Sequence, residues 1–194
     1  MTRSNLDTRT RLLAAAEHLL VTRGITGVSV RKVGEAAGVN PTLVTYHFGS
    51  IGGLLEELAH ANMDPILADW QLVDSASGFD AMLHAWLAPM LRAAAFTPDG
   101  RALVVLDEIG AHGEGAIRTL VLQEMEGFAH HLRARLAPHL PGLADDELRA
   151  RLRFISGAVL GPPPRSHGAP RLASGMAADD LGYLLRFARA ALLG

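Results

Sequence analysis

The stretch that decides the fold is VSVRKVGEAAGVNPTLVTYHFGSIGGLLEEL, residues 28–58. It predicts two short amphipathic helices, 29–37 and 41–48, separated by a three-residue turn. Gly38 in that turn is a helix C-cap signal, because a residue without Cβ adopts the left-handed conformation at little cost. Asn40 can cap the second helix, and Pro41 suits its first position, where no backbone N–H is needed. Two helices across so short a turn predict a helix-turn-helix, whose second helix fits the major groove.

The composition is that of a water-soluble globular protein. Of the 194 residues, 49% are hydrophobic and 20% are charged, and no apolar run is long enough for a membrane span or a signal sequence. The chain has no cysteine, which excludes disulfides and thiolate metal sites. The net charge is −2, but residues 1–52 have six basic and three acidic side chains, whereas residues 53–194 have twelve and seventeen. We therefore expect a cytoplasmic protein that presents only its N-terminal part to phosphate.

The rest of the sequence predicts helices, so the expected fold class is all-α with about nine helices. No stretch alternates like a strand, and GPPPRSHGAPRLASG (161–175) predicts a loop because of its prolines and glycines. We predict a three-helix head with the helix-turn-helix at residues 1–50 and a helical ligand-binding and dimerisation domain at residues 51–194. Besides the pair above, the predicted helices are 7–23, 51–70, 79–95, 101–112, 114–137, 145–160 and 179–193.

The N-terminal part resembles a known family. Residues 8–58, TRTRLLAAAEHLLVTRGITGVSVRKVGEAAGVNPTLVTYHFGSIGGLLEEL, look like the DNA-binding head of TetR/AcrR-type transcriptional regulators. The shared features are Ala-Ala in helix 1, the RG pair, the AGV turn, the His-Phe ending of helix 3 and the Gly-Ser pair before a Leu-rich helix 4. The resemblance implies a two-fold homodimer that binds a palindromic operator in double-stranded DNA. It also implies a body that binds a small-molecule effector, which usually ends repression by changing the separation of the two heads.

The resemblance implies DNA contacts from the start of helix 2 and from helix 3. Two positions depart from the family pattern. Many members have tyrosine where this chain has Thr45, and here Tyr46 follows one place later, a shift of about 100° around a helix. The lysine common at the start of helix 4, which neutralises a phosphate, is replaced by Ile51, so we expect weaker DNA binding. Arg3 and Arg9 could form an arm that reaches DNA, or a disordered tail. The contact positions carried over are Arg31, Asn40, Pro41, Thr42, Thr45, Tyr46 and His47.

Aromatic, methionine and histidine side chains of the body are candidates for the effector site. Ligand cavities are mostly apolar, with a few polar groups that orient the ligand. For each of these residues, ordinary burial in the core is the alternative. The candidates are Trp70, Met82, His84, Trp86, Met90, His112, Met125 and Phe128.

The homodimer contact is expected in the helices near 145–160 and 179–193. Each has an apolar row at helical spacing, which a two-fold four-helix interface would bury. A wholly internal face could also explain either row. The rows are Leu148, Leu152, Ile155 and Val159, and Leu181, Leu184, Leu185, Ala188 and Leu192.

The sequence predicts neither an enzyme nor a cofactor. Glu108 and His112 share a helical face, but two ligands are too few for a metal site. No HExxH, GxSxG, Walker A or Rossmann fingerprint is present. We predict a ligand-responsive DNA-binding transcriptional regulator, a repressor by the family's usual pattern. One alternative is a helical small-molecule-binding protein whose head has weak or lost operator affinity. The other is a helical enzyme with a metal or cofactor, against which the missing motifs count.

Overall fold

Helices form the regular structure of the chain. The structure, a computed structural model, describes residues 3–98, 100–161 and 180–194, with side chains from residue 7 onward. Within those ranges the predicted all-α fold is confirmed, since they contain no strand and only an isolated antiparallel bridge between Ala93 and Arg101. None of the described helices is long and apolar enough to cross a membrane. The helices are α1 (Arg3–Arg23), α2 (Val30–Ala37), α3 (Thr42–Phe48), α4 (Ile51–Trp70), α5 (Leu72–Ser75), α6 (Phe79–Met90), α7 (Ala102–His112), α8 (Gly115–Leu136), α9 (Asp145–Leu160) and α10 (Leu181–Leu193).

Most helix ends lie within a few residues of the predicted ones, but the end of α6 does not. The prediction placed it at residue 95, whereas α6 ends at Met90 and the chain then turns. In that turn the Ala94 N–H donates to the Gly100 carbonyl, and the Gly100 N–H donates to the Thr97 carbonyl, each at 2.9 Å. The four-residue α5 was not predicted. The predicted loop 161–175 lies outside the described residues, except for Gly161.

The described chain divides into two compact units. Unit 1 comprises residues 3–63 and 93–121, and unit 2 comprises residues 64–92, 122–161 and 180–194. Unit 1 therefore holds α1 to α3 together with α7. These units are defined by which residues pack together. The predicted boundary at residue 50 instead separates a DNA-binding domain from a ligand-binding domain, and it stays a prediction.

The core of the N-terminal head lies among α1, α2, α3 and the first turns of α4. Its side chains recur at three- and four-residue spacing, which places them on the inward face of each helix. Their burial leaves the opposite face of each helix to solvent or to a partner. The buried members are Leu12, Leu13, Ala15, Ala16, Leu19, Val33, Ala37, Val44, Leu54 and Leu58.

Most side chains of the apolar rows of α9 and α10 are buried, whereas Leu181 and Leu185 are half-buried. Ile155, Val159 and Ala188 are completely buried, and Leu152, the most exposed of the buried row members, is 8% exposed. The two helices are also tied by a hydrogen bond that Arg151 Nη1 donates to the Ala191 carbonyl at 2.7 Å. The buried members of the rows therefore form an internal face, and a contact between two copies through these helices stays a prediction.

Candidate nucleic-acid interface

Local hydrogen bonds fix both ends of α2. The Ser29 hydroxyl accepts from the Lys32 N–H at the beginning of the helix. At its end, Gly38 adopts the left-handed conformation with φ 64°. The Gly38 N–H donates to the Glu35 carbonyl, and the Val39 N–H donates to the Gly34 carbonyl at 3.0 Å. These two bonds form a Schellman motif, which ends the helix and redirects the chain toward α3.

The beginning of α3 is held by Asn40 and by a close backbone contact. The Asn40 Oδ1 accepts from the Thr42 N–H at 3.0 Å and from the Thr42 hydroxyl at 2.9 Å. Pro41 already has helical torsion angles. A Cβ added at Gly34 would lie 2.6 Å from the Pro41 Cα, so α2 and α3 approach as closely as a glycine allows. The predicted helix-turn-helix is therefore present, and Gly34 sets the spacing of its helices.

The outward face of α3 presents hydroxyl groups and one aromatic ring. Thr42, Thr45 and Tyr46 share a face because they are three and four residues apart, and all three are exposed, Tyr46 by 73%. On the opposite side, Val44 is completely buried. His47 is half-buried, and its ring meets the Tyr46 ring edge-on at 5.1 Å. Such a face can make hydrogen bonds to base edges and phosphates and apolar contact with thymine methyl groups.

Of the remaining predicted contact residues, Asn40 and Arg31 are exposed and Pro41 is half-buried. The Arg31 side chain is 82% exposed, and its Nε donates to the Glu35 carboxylate at 3.0 Å. Surface pairs at this spacing are worth only a few tenths of a kcal/mol, so a phosphate can replace the carboxylate as partner at little cost. Contact of these residues with DNA stays a prediction.

Comparison with known proteins places this head in a family. Residues 12–58 match the profile described as "Bacterial regulatory proteins, tetR family". Residues 84–191, more than half of the chain, match the "Tetracyclin repressor-like, C-terminal domain" profile. The chain belongs to the TetR family. It therefore has the fold of a DNA-binding transcriptional regulator, as its N-terminal resemblance implied.

Solved structures agree with this TetR-family fold. The TetR family transcriptional regulator PfmR from Thermus thermophilus has a TM-score of 0.67 at 16% identity, with 95% of each chain covered. A proposed transcriptional regulator from Pseudomonas aeruginosa has a TM-score of 0.61 at 19% identity, with 94% of this chain and 87% of that chain covered. No match was found among curated protein sequences. At these identities the neighbours establish the fold alone.

Ile51 stands where many TetR-family chains have a phosphate-binding lysine. It is half-buried and packs against the head core. The Ser50 hydroxyl accepts from the Gly53 N–H at 3.0 Å and so caps α4. The other backbone N–H groups of the first turn have no acceptor within the helix. They point outward at the N-terminus of α4, where the helix dipole has its positive end. Any phosphate bound here would depend on backbone donors rather than on a cation.

Two buried carboxylates hold parts of unit 1 together; the sequence alone did not single out Glu17 and indicated Glu108 only as a candidate metal ligand. Glu17 in α1 is completely buried and accepts from the Asn62 side-chain amide at 2.8 Å and from the Phe96 N–H at 2.7 Å. The Asn62 Oδ1 accepts from the Ala95 N–H at 3.0 Å. Buried polar groups without partners are costly, so this network holds the 93–101 turn against α1 and α4.

Glu108, the second buried carboxylate, joins α7 to the segment before α2. Its Oε2 accepts from the Ile25 N–H at 3.0 Å, beside Gly24, whose φ is 71°. Glu108 is thus engaged in a structural contact. Among the described residues, no group of three or more His, Asp or Glu side chains is placed to hold a metal ion.

We expect Asp107, next to Glu108, to make stability depend on pH. Although Asp107 as a residue is exposed, neighbouring groups partly desolvate its carboxyl and raise its pKa above the ordinary value of 3.8, and nearby His112 opposes the shift. An acid with a raised folded pKa binds its proton more tightly when folded, so stability falls as pH rises from 3.8 through the folded pKa. We therefore expect Asp107→Asn to raise the melting temperature at pH 7 and to have no effect below pH 3.8.

Melting curves from pH 3 to pH 8 test this expectation, and asparagine is a suitable replacement because its helix propensity resembles that of aspartate. In His112→Ala, which removes the opposing charge, the fall in stability should extend to higher pH. Equal melting temperatures of wild type and Asp107→Asn at pH 7 would contradict the assignment.

The candidate effector residues belong mainly to unit 2. The Trp70 indole N–H donates to the Trp86 carbonyl at 3.0 Å, and the Trp70 ring stacks on Phe128 with centroids 3.7 Å apart. Met82, Trp86 and Met90 are buried, Met125 and Phe128 are half-buried, and His84 is exposed. His112 is exposed and belongs to unit 1. Their role in binding an effector stays a prediction.

Proposed function

We propose that this TetR-family protein is a repressor that binds a palindromic operator and is released by a small-molecule effector. The observation that carries the proposal is the outward face of α3, where Thr42, Thr45 and Tyr46 are exposed on a helix that a capped turn and a buried valine hold in place. A rigid element that presents polar and aromatic groups is what base readout in the major groove requires. The effector shifts the equilibrium between two arrangements of the heads by its differential affinity for them.

The first test is selection of bound fragments from sheared genomic DNA by the purified full-length protein. We expect enrichment of a palindromic sequence whose half-sites lie about one helical turn apart, or a multiple of it. Binding of the enriched fragment should weaken as salt is raised. If a folded protein enriches no sequence at low salt, the regulator proposal fails.

Tyr46→Ala and Arg31→Ala should each weaken binding to the selected operator. A lost base or phosphate contact is worth about 1–3 kcal/mol, or roughly 5- to 150-fold in Kd. Only Arg31→Ala should lower the salt slope, by about one unit, because only this change removes a cation. Fluorescence anisotropy on a labelled operator at several salt concentrations measures both quantities.

Two controls accompany these variants. Arg118→Ala removes an exposed arginine of α8 and should change neither quantity. Tyr46→Phe removes only the hydroxyl group, so it separates the contribution of the hydroxyl to operator affinity from that of the ring. Wild-type affinity in both Tyr46→Ala and Arg31→Ala would remove these two positions from the recognition surface.

A homodimer through α9 and α10 completes the proposal, because a palindrome is read by two copies related by a two-fold axis. Because most of their apolar row is buried internally, the outward faces of the two helices are the main surfaces available for this contact. Those faces expose large aromatic side chains: Phe154 by 76%, Tyr183 by 60% and Phe187 by 43%. Aromatic side chains are enriched at protein–protein interfaces.

The effector is proposed to bind in unit 2 near the Trp70–Phe128 stack. Trp70 and Trp86 are the two tryptophans of the chain, and both belong to unit 2. An apolar compound that binds beside them should change the intrinsic tryptophan fluorescence and release the operator over the same concentration range. A compound that releases DNA without changing the fluorescence would place the effector site elsewhere.

The alternative function is that of a small-molecule-binding protein with weak operator affinity. The half-buried Ile51 favours it, because an isoleucine at this position of α4 offers no cation to a phosphate. Ile51→Lys distinguishes the two functions, because it should tighten operator binding in a working repressor and raise the salt slope by about one unit.

A further inference from the structure

Arg9 brings three helices of the head together at one side chain. Its Nη1 and Nη2 groups donate to the two carboxylate oxygens of Glu57 on α4, and the two side chains are 33% and 29% exposed. The Arg9 guanidinium carbon also lies 5.1 Å from the centroid of the Phe48 ring, at the last residue of α3. Arg9 itself belongs to α1, so it lies in a helix and not in a disordered tail.

The ring contacts continue from Phe48 to the exposed face of α3. The Phe48 and His47 ring centroids are 6.1 Å apart, and the His47 and Tyr46 centroids are 5.1 Å apart. These contacts form a row, which we call the Arg9–Tyr46 row, from a partly buried cation to the exposed ring of Tyr46. A change at Arg9 can therefore alter the position of Tyr46 without any direct contact between them.

On the basis of the DNA-binding function proposed above, we propose that Arg9 is a positioning residue, which sets the orientation of Tyr46 through Phe48 and His47. Arginine suits this role because its planar guanidinium can bind a carboxylate with both nitrogens while it covers an aromatic face. Lysine has a single ammonium group and cannot reproduce both contacts. The bidentate pair also neutralises the charge of Arg9, which makes it a poor donor to a phosphate.

The rival role for Arg9 is a direct phosphate contact, and three variants separate the two roles. In Arg9→Lys the charge is kept, but the bidentate and stacked geometry is lost. In Glu57→Gln the arginine is kept, but its anionic partner is lost. Arg9→Gln removes both the charge and the geometry. Affinity for the selected operator is measured for the full-length variants at several salt concentrations, at a temperature where circular dichroism shows each variant to be fully folded.

For a positioning residue, each variant should weaken operator binding by about tenfold, and the double variant Arg9→Gln/Glu57→Gln should be no worse than either single variant. The salt slope should be the same in all of them, because no phosphate contact is lost. Three results would each overturn the proposal: wild-type affinity in Arg9→Lys, wild-type or tighter binding in Glu57→Gln, or a slope lowered by about one unit in Arg9→Gln.

A second measurement works without DNA, so it separates failure of this proposal from failure of the proposed function. The chain has two tyrosines, Tyr46 and Tyr183, so protein labelled with fluorotyrosine gives two fluorine resonances that Tyr46→Phe assigns. Arg9→Lys and Glu57→Gln should shift the Tyr46 resonance and leave that of Tyr183 in place. An unshifted Tyr46 resonance in both variants would overturn the positioning role, even if the wild-type protein binds no operator.

Discussion

Gly34→Ala is expected to weaken operator binding by about 100-fold or more, which corresponds to roughly 2.7 kcal/mol. The alanine Cβ would lie 2.6 Å from the Pro41 Cα and 2.9 Å from its nitrogen and Cγ. These atoms belong to backbone and a closed ring, so they cannot rotate away, and the beginning of α3 has to move. Overpacking of this kind costs about 1–3 kcal/mol of stability, and the displaced helix would no longer present Thr42, Thr45 and Tyr46 in register with base edges.

Gly127→Ala is the matched control for this change. Gly127 is an exposed position in α8 with no atom within 4 Å of an added Cβ. Alanine there should leave operator affinity unchanged and stabilise the helix by up to about 1 kcal/mol, because glycine has the lower helix propensity. Denaturant unfolding and operator anisotropy on both variants separate the two effects. If Gly34→Ala binds like wild type, the close approach of α2 and α3 does not determine recognition.

Local signals made the helix-turn-helix predictable from the sequence. Ser29, Gly38 and Asn40 act on atoms a few residues away, so their hydrogen bonds follow from residue type and order alone. The end of α6 was not predictable in the same way. Residues 91–95 are mostly apolar and continue the helical pattern, but the Ala95 and Phe96 N–H groups donate to Asn62 and Glu17 instead. Such long-range bonds leave no trace in local periodicity.

In the candidate site too, features that depend on neighbouring residues could be predicted from the sequence, whereas contacts between distant residues could not. Thr42, Thr45 and Tyr46, which the resemblance implied as DNA contacts, lie on an exposed face, because Val44 and the apolar residues of α1 and α2 define the opposite one. The pairing of Arg9 with Glu57 spans 48 residues, so the sequence could not distinguish a DNA-reaching arm from an internal contact. In α9 and α10 the periodicity correctly indicated burial, but it could not tell whether the covering surface belongs to the same chain or to a second copy.

Phe154→Glu is expected to convert the proposed dimer to a monomer. Phe154 is 76% exposed on α9, on the side away from the buried row. A glutamate there would place an unpaired charge in a two-fold interface, and the symmetry would place it there twice. Loss of a central aromatic anchor alone costs about 2 kcal/mol or more. Sedimentation should show the monomer at concentrations where wild type is dimeric.

The same variant, Phe154→Glu, also shows how much of the operator affinity depends on two linked copies rather than on one. Two linked heads bind a palindrome about 10²- to 10⁴-fold more tightly than two separate heads. The affinity of Phe154→Glu for the full operator should therefore fall by that factor. Affinity for an isolated half-site should stay at the wild-type value, because the head is unchanged. Leu122→Glu is the matched control, since Leu122 is a 40% exposed leucine on α8, and it should leave both assembly and binding intact. A dimeric Phe154→Glu protein with full operator affinity would mean that the copies meet through a surface other than the outward faces of α9 and α10.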